Sequence, residues 1–367
     1  MHQKPSEVRI MAYTTINDPS AHFHIELYTG NGEARNITND ANAGDFKPDL
    51  LWIKERTSTS NQMVMDSSRA GDWNRLNPNL SSAEITTDPA VLGITDGFSL
   101  SASDNGLNED TETYVAWQWK ANGGSTTTND ASATGVGSID SVYQANTTAG
   151  FSIVTYTGTG STATVAHGLG GVPDVLLFKK RSTTDNWYMY HSANTAAPET
   201  DYMTFDTTAA TTDFNIWNDT APTSTVFSIS NAGVHADTTT MVCYAWREIQ
   251  GYSKFGGYTG NGNADGVFNY CGFKPAFVIT KRSETGNDNW HILDHKRDID
   301  NPAVQVLQNN EPDAEGTTTT SMIDFLSNGF KCRGTGSSIN TNATDYIYIA
   351  FAEQPFVTSG GVPCTAR

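Results

Sequence analysis

Tyr28-Thr29-Gly30-Asn31-Gly32 recurs as Tyr156-Thr157-Gly158-Thr159-Gly160 and again as Tyr258-Thr259-Gly260-Asn261-Gly262. Each copy precedes a proline that leads an apolar run ending in basic residues. The runs are Pro48-Asp49-Leu50-Leu51-Trp52-Ile53-Lys54, Pro173-Asp174-Val175-Leu176-Leu177-Phe178-Lys179 and Pro275-Ala276-Phe277-Val278-Ile279-Thr280-Lys281. Proline and lysine stand 6 residues apart every time. A third shared segment follows, aligned as Tyr114-Val115-Ala116-Trp117, Cys243-Tyr244-Ala245-Trp246 and Tyr348-Ile349-Ala350-Phe351. From the first Tyr to this Ala the chain runs 88, 89 and 92 residues. Order and length both persist, so the sequence reads as one unit present three times.

The units occupy 22–120, 150–248 and 251–354. Residues 1–21 form an N-terminal extension and 355–367 a C-terminal tail. Residues 121–149, rich in Gly, Ser, Thr and Asn, read as a linker or crossing loop. Units two and three are joined through Glu248–Gly251 alone, which predicts a fixed pair.

Each unit reads as strands. Phe151-Ser152-Ile153-Val154-Thr155-Tyr156 and Tyr114-Val115-Ala116-Trp117-Gln118-Trp119 alternate large side chains with a period of two. The run after each proline is apolar on both parities and predicts a central strand covered on both sides. Gly-x-Gly supplies the positive φ of a tight turn; a dinucleotide fingerprint would need a third Gly and an apolar helix immediately after it. Strands every 8–12 residues in units of about 100 predict an all-β chain of three tandem antiparallel sandwiches, jelly-roll and lectin-like.

Composition narrows the function. Among 367 residues, 22 are Lys or Arg and 40 Asp or Glu, a formal charge of −18. So acidic a balance opposes nucleic-acid binding. The longest apolar run, Tyr346 to Ala352, is far short of the ~18 residues that span a bilayer. Charged residues make up 17%, while short uncharged polar residues make up about a third, which suits turn-rich β structure. Lys4 and Arg9 are followed by no apolar stretch, so no secretory segment is expected. Cys243, Cys271, Cys332 and Cys364 are scattered and read as free thiols, with a Cys271–Cys332 pairing left open.

The strand-end bases Lys54, Arg56, Lys179, Arg181, Lys281 and Arg282 gather at one place per unit. Two readings stand: an anion contact, to a neighbouring subunit's carboxylates or an acidic polysaccharide, or a solvated strand end with local ion pairs contributing at most ~1 kcal/mol each. Trp187 and Trp290 repeat after an Asn where unit one has Asn61-Gln62; a Trp here either stacks on a sugar or fills the core, and Gln62 implies a position that is not uniformly buried. His22 with His24, and His291 with His295, lack a third ligand of suitable spacing. Asp66 and Asp294 correspond to His191, so no carboxylate pair repeats; Gly-x-Ser-x-Gly, HExxH and P-loop motifs are absent. No catalytic residue, cofactor or metal is expected.

The segments FKPDLLWIKER (46–56), GFSIVTYTGTGSTATVAHGLGGVPDVLLFKKR (150–181), IWNDTAPTSTVFSI (216–229) and GYSKFGGYTGNGNADGVFNYCGFKPAFVITKRS (251–283) resemble a family of repeat proteins in tailed phages, especially marine and cyanobacterial ones. The closing IDFLSNGFKCRG (323–334) and YIYIAFAEQPF (346–356) are similar to it too, and the resemblance spans about 11–367. It implies a non-enzymatic structural protein on the virion exterior: a tail fibre, tail tip or capsid decoration aiding host attachment. Its implied partners are other virion proteins, a host-surface glycan and further copies of itself, a trimer among the forms. It implies folding in the host cytoplasm, while the acidic balance and the short apolar runs predict contact with neither nucleic acid nor membrane. A polysaccharide depolymerase and a secreted bacterial lectin are the competing readings.

Overall fold

Apolar runs flanked by Gly-x-Gly turns become strands throughout the computed structural model, which describes residues 12–40, 46–69, 74–86, 91–102, 106–231 and 235–365. The first eleven residues of the expected N-terminal extension and the last two of the tail lie outside these. The first third forms β1 (Phe23–Thr29), β2 (Arg35–Ile37), β3 (Leu50–Glu55), β4 (Met63–Asp66), β5 (Val91–Ile94), β6 (Gly97–Leu100) and β7 (Thr113–Trp119). Next come β8 (Thr127–Asn129), a one-turn helix α1 (Ala131–Thr134) and β9 (Ser141–Asn146). The middle third supplies β10 (Phe151–Thr157), β11 (Ala163–Ala166), β12 (Val175–Lys180), β13 (Tyr188–His191), β14 (Asp201–Thr204), β15 (Thr212–Asp213), β16 (Val226–Ile229) and β17 (Thr240–Trp246). The last third supplies β18 (Ser253–Thr259), β19 (Phe268–Tyr270), β20 (Phe273–Arg282), β21 (His291–Asp294), β22 (Gln305–Gln308), β23 (Gly316–Thr317), β24 (Ile323–Leu326), β25 (Gly329–Cys332) and β26 (Asp345–Pro355). The chain is all-β, and every strand pairing among the described residues is antiparallel.

Three large sheets share one strand order: β1-β7-β3-β4, β10-β17-β12-β13 and β18-β26-β20-β21, the last two continuing outward through further strands. A small sheet faces each: β2-β6-β5, β11-β16 and β19-β25-β24. One apolar core lies between large and small sheet in each third, joining Tyr28, Ile53 and Phe98, then Tyr156, Phe178 and Phe227, then Val278, Phe325 and Phe330. The other face of all three large sheets meets in a common core that includes Phe23, Trp119, Trp246, Phe277 and Phe351. This is why the strand after each proline is apolar on both parities: Leu50–Glu55 is buried at every position. Burial on both faces contributes roughly 1.5–3 kcal/mol per large side chain.

The register corrects the alignment of the third shared segment. Leu50 lies opposite Trp119, Val175 opposite Trp246 and Phe277 opposite Phe351. The partner of Tyr244-Ala245-Trp246 is therefore Trp117-Gln118-Trp119, two residues beyond the match read from sequence. A slip of two leaves each side chain on its own face, so alternation alone does not reveal it.

Residues 121–149 also differ from expectation. Instead of a linker they provide β8 and β9, and β9 pairs with β10 along six residues, covering the edge of the middle sheet. An uncovered β10 would present a row of unpaired backbone groups. Nor is the described part of the N-terminal extension a free arm: Ile16 is buried and the Thr14 hydroxyl donates to Gln250 O at 2.8 Å.

The repeated glycines are structural. A Cβ on Gly30, Gly158 or Gly260 would lie 1.9, 2.3 or 2.2 Å from a backbone oxygen, and Gly32, Gly160 and Gly262 have φ of 68°, 67° and 64°. Only glycine satisfies both requirements without strain.

Candidate functional site

The strand-end lysines do not face solvent. Lys54, Lys179 and Lys281 are completely buried. Lys54 Nζ donates to Ser60 O (2.9 Å) and, from the last third, Pro312 O (3.1 Å). Lys179 donates to Ser81 O of the first third at 2.8 Å and to Asp185 O. Lys281 donates to Thr208 O of the middle third at 3.4 Å and to Arg282 O at 3.0 Å. Each third therefore reaches into another in the same sense: first to last, last to middle, middle to first. Burial pushes each ammonium down to about 8, so the interior carbonyls hold groups that cost stability when charged.

The arginines extend these seams, which corrects the external-anion reading: the carboxylates they meet belong to the same chain. Arg56 grips Glu315 through Nε–Oε1 (3.0 Å) and Nη2–Oε2 (2.8 Å), and Arg181 grips Glu84 through Nη2–Oε2 at 2.9 Å. Behind each glutamate lies a buried pair. Arg69 links Glu84 to Asp66, and Arg297 links Glu315 to Asp294, with Nε–Oδ2 distances of 2.5 and 2.6 Å. Tyr244 donates to Asp66 and Trp117 to Asp294. Asp66 and Asp294 are thus bound in structure. At the third seam the corresponding residues are His191, Asn194, Thr211 and Ser283, all neutral; Thr211 donates from Oγ1 to Asn194 (2.7 Å) and from its backbone N to Ser283 O (2.9 Å). Arg282 sits one residue out of step with Arg56 and Arg181, projects to the opposite face and pairs with Asp288 of its own third.

Trp187 and Trp290 are completely buried, so neither presents a face to a sugar. Each indole donates across a seam: Trp187 Nε1 to Asn77 O (2.9 Å), Trp290 Nε1 to Thr204 O (3.1 Å). Gln62, read from sequence as a sign of exposure, is equally buried and donates to Gln308 O and Asn309 O. The position is one buried donor in two chemical forms, an indole in two copies and an amide in the third. Trp187→Phe keeps the bulk but removes one of the two donors to Asn77 O, the other being the Leu80 N–H at 3.1 Å; we expect a loss of about 0.5–1.5 kcal/mol in urea denaturation. A loss below the experimental scatter would refute a role for the indole N–H. All four cysteines are free, including Cys271 and Cys332.

The solvent-facing chemistry lies elsewhere, in a cleft of about 450 Å³ between the first and last thirds. His24 and Glu26 project from the same face of edge strand β1, with Nε2–Oε2 at 3.0 Å. Asp40, from the segment after β2, brings its carboxylate close to both, so that one ligand atom from each of the three lies within 4.8 Å of the others. Lys296 of the last third pairs with Asp40, and His295 Nδ1 lies 2.8 Å from Glu353, which also binds Lys274. Sequence spacing brings out His24 alone of this set; Glu26 is legible by strand alternation, Asp40 is not. His22 turns away to pack its ring edge on Tyr252.

Among the described residues no helix is long and apolar enough to cross a membrane. The sequence profile of a family described as a domain of unknown function (DUF7483) matches residues 18–355. No curated protein matches the chain.

Proposed function

The chain belongs to the DUF7483 family, and we propose that it is a non-enzymatic structural and adhesive protein on the exterior of a tailed-phage virion. In this reading residues 22–120, 150–248 and 251–354 are three copies of a jelly-roll, lectin-like sandwich. The observation that carries it is the seam: one arrangement of buried lysine, buried donor and loop carbonyl occurs three times, head to tail, and returns to its start. Heterologous contacts that close make a ring, which is how three subunits normally build a trimer. Here one polypeptide supplies all three, giving a rigid platform whose outer rims remain for other virion proteins, further copies of the chain or a host-surface glycan. The buried Asp–Arg pairs further support a structural role for carboxylates that a glycosidase would keep in an open cleft.

Quantitative mass spectrometry of purified particles tests this. Hundreds of copies per particle mean decoration, a handful mean tail apparatus, and absence from the particle overturns the proposal. Release of new reducing ends from host capsule by the purified protein would favour the depolymerase instead.

A further inference from the structure

We propose that His24, Glu26 and Asp40 form a zinc-type divalent metal site at the seam between the first and last thirds. This goes beyond the virion reading and does not depend on it. One imidazole nitrogen and two carboxylate oxygens converge to within 4.8 Å, and the His24–Glu26 distance of 3.0 Å is close to the ligand spacing that metal bonds of about 2.0–2.2 Å impose. His24 and Glu26 are held by the β1–β7 ladder, where His24 lies opposite Gln118 and Glu26 opposite Ala116. Asp40, about a third exposed, is the ligand able to close the remaining distance. The cleft admits water for the further coordination positions. An imidazole among three ligands selects zinc-like ions over calcium, which takes six to eight oxygens.

The site already attracts a cation: the Lys296 ammonium rests on Asp40. A dication would displace it, bringing Lys296 into opposition with the metal. The bound ion would then tie β1 and the segment ending at Asp40 together beside the last third, stabilising the folded chain by mass action.

The test is zinc titration of the full, metal-stripped chain by calorimetry, with thermal melts alongside. The expected result is one equivalent bound, calcium at least tenfold weaker, and a raised Tm. Asp40→Asn, which changes a partly exposed side chain and leaves folding intact, should weaken zinc at least tenfold, as should Glu26→Gln. Lys296→Ala should tighten it several-fold, an effect no distant site would show. Zinc affinity unchanged in both Asp40→Asn and Lys296→Ala would overturn the proposal and place binding away from this cleft; no binding to the wild-type chain would overturn it outright.

Discussion

Lowering the pH from 6.5 to 4 should strip the protein of most of its stability. Burial holds His167, His191 and His291 down to about 4, against an ordinary value near 6.5. Between those limits the unfolded chain takes up protons that the folded chain refuses. Stability therefore rises with pH through this window and falls as pH drops across it. Each imidazole contributes at most about 3 kcal/mol, and the three lie in separate places, so their effects add to roughly 10 kcal/mol at the ceiling, comparable to the whole stability of a domain. Asp206, raised to about 6 chiefly by burial, opposes the trend with up to about 3 kcal/mol in the other direction. His191 shows why protonation is costly: its Nδ1 accepts from Ala193 N at 3.1 Å, leaving Nε2 to meet Tyr348 O at 3.2 Å, an arrangement only the neutral ring can make. Urea unfolding of wild type and His191→Gln at pH 7 and pH 4.5 is the check. The variant should lose about 2–3 kcal/mol less between the two; an identical loss would show that His191 does not drive acid unfolding.

Arg297→Ala should destabilise the fold by about 3–5 kcal/mol, because it leaves Asp294 buried without its cation. Burial alone would raise the Asp294 carboxyl, and the Arg297 charge and hydrogen bonds turn that into a net lowering. The same variant also releases Glu315, and with it the clamp on Arg56. The seam of the middle third shows that the charges are replaceable as a set. Combining Arg297→Asn with Asp294→His, Glu315→Thr and Arg56→Ser installs the neutral residues found at that seam, and should recover the greater part of the loss. Lys254→Ala serves as the contrast, since the Lys254–Glu248 pair is about one-third exposed on each side and should cost no more than about 1 kcal/mol. If Arg297→Ala fell within that same margin in denaturant unfolding, the buried network would not hold the seam.

Much of the architecture was legible in the linear order of residues. The Tyr-Thr-Gly-x-Gly turns, the two-sided apolar strands and the all-β class follow from local rules: positive φ calls for glycine, and a period of two makes a sheet face. The three copies also marked where a seam could form, since the bases recur at Lys54, Lys179 and Lys281. What a side chain meets was not legible. The tryptophans and lysines met neighbours around 70–260 residues away, so whether they faced water or carbonyl oxygens depended on how whole sheets were placed. Register escaped for the same reason, because alternation is blind to a slip of two. Asp40 joins His24 and Glu26 only once β2 has crossed to its small sheet and the chain has returned. Local sequence determines which conformations a segment adopts and which face is apolar; burial, ion pairing and the convergence of ligands are properties of surfaces in contact, and tertiary packing alone creates those.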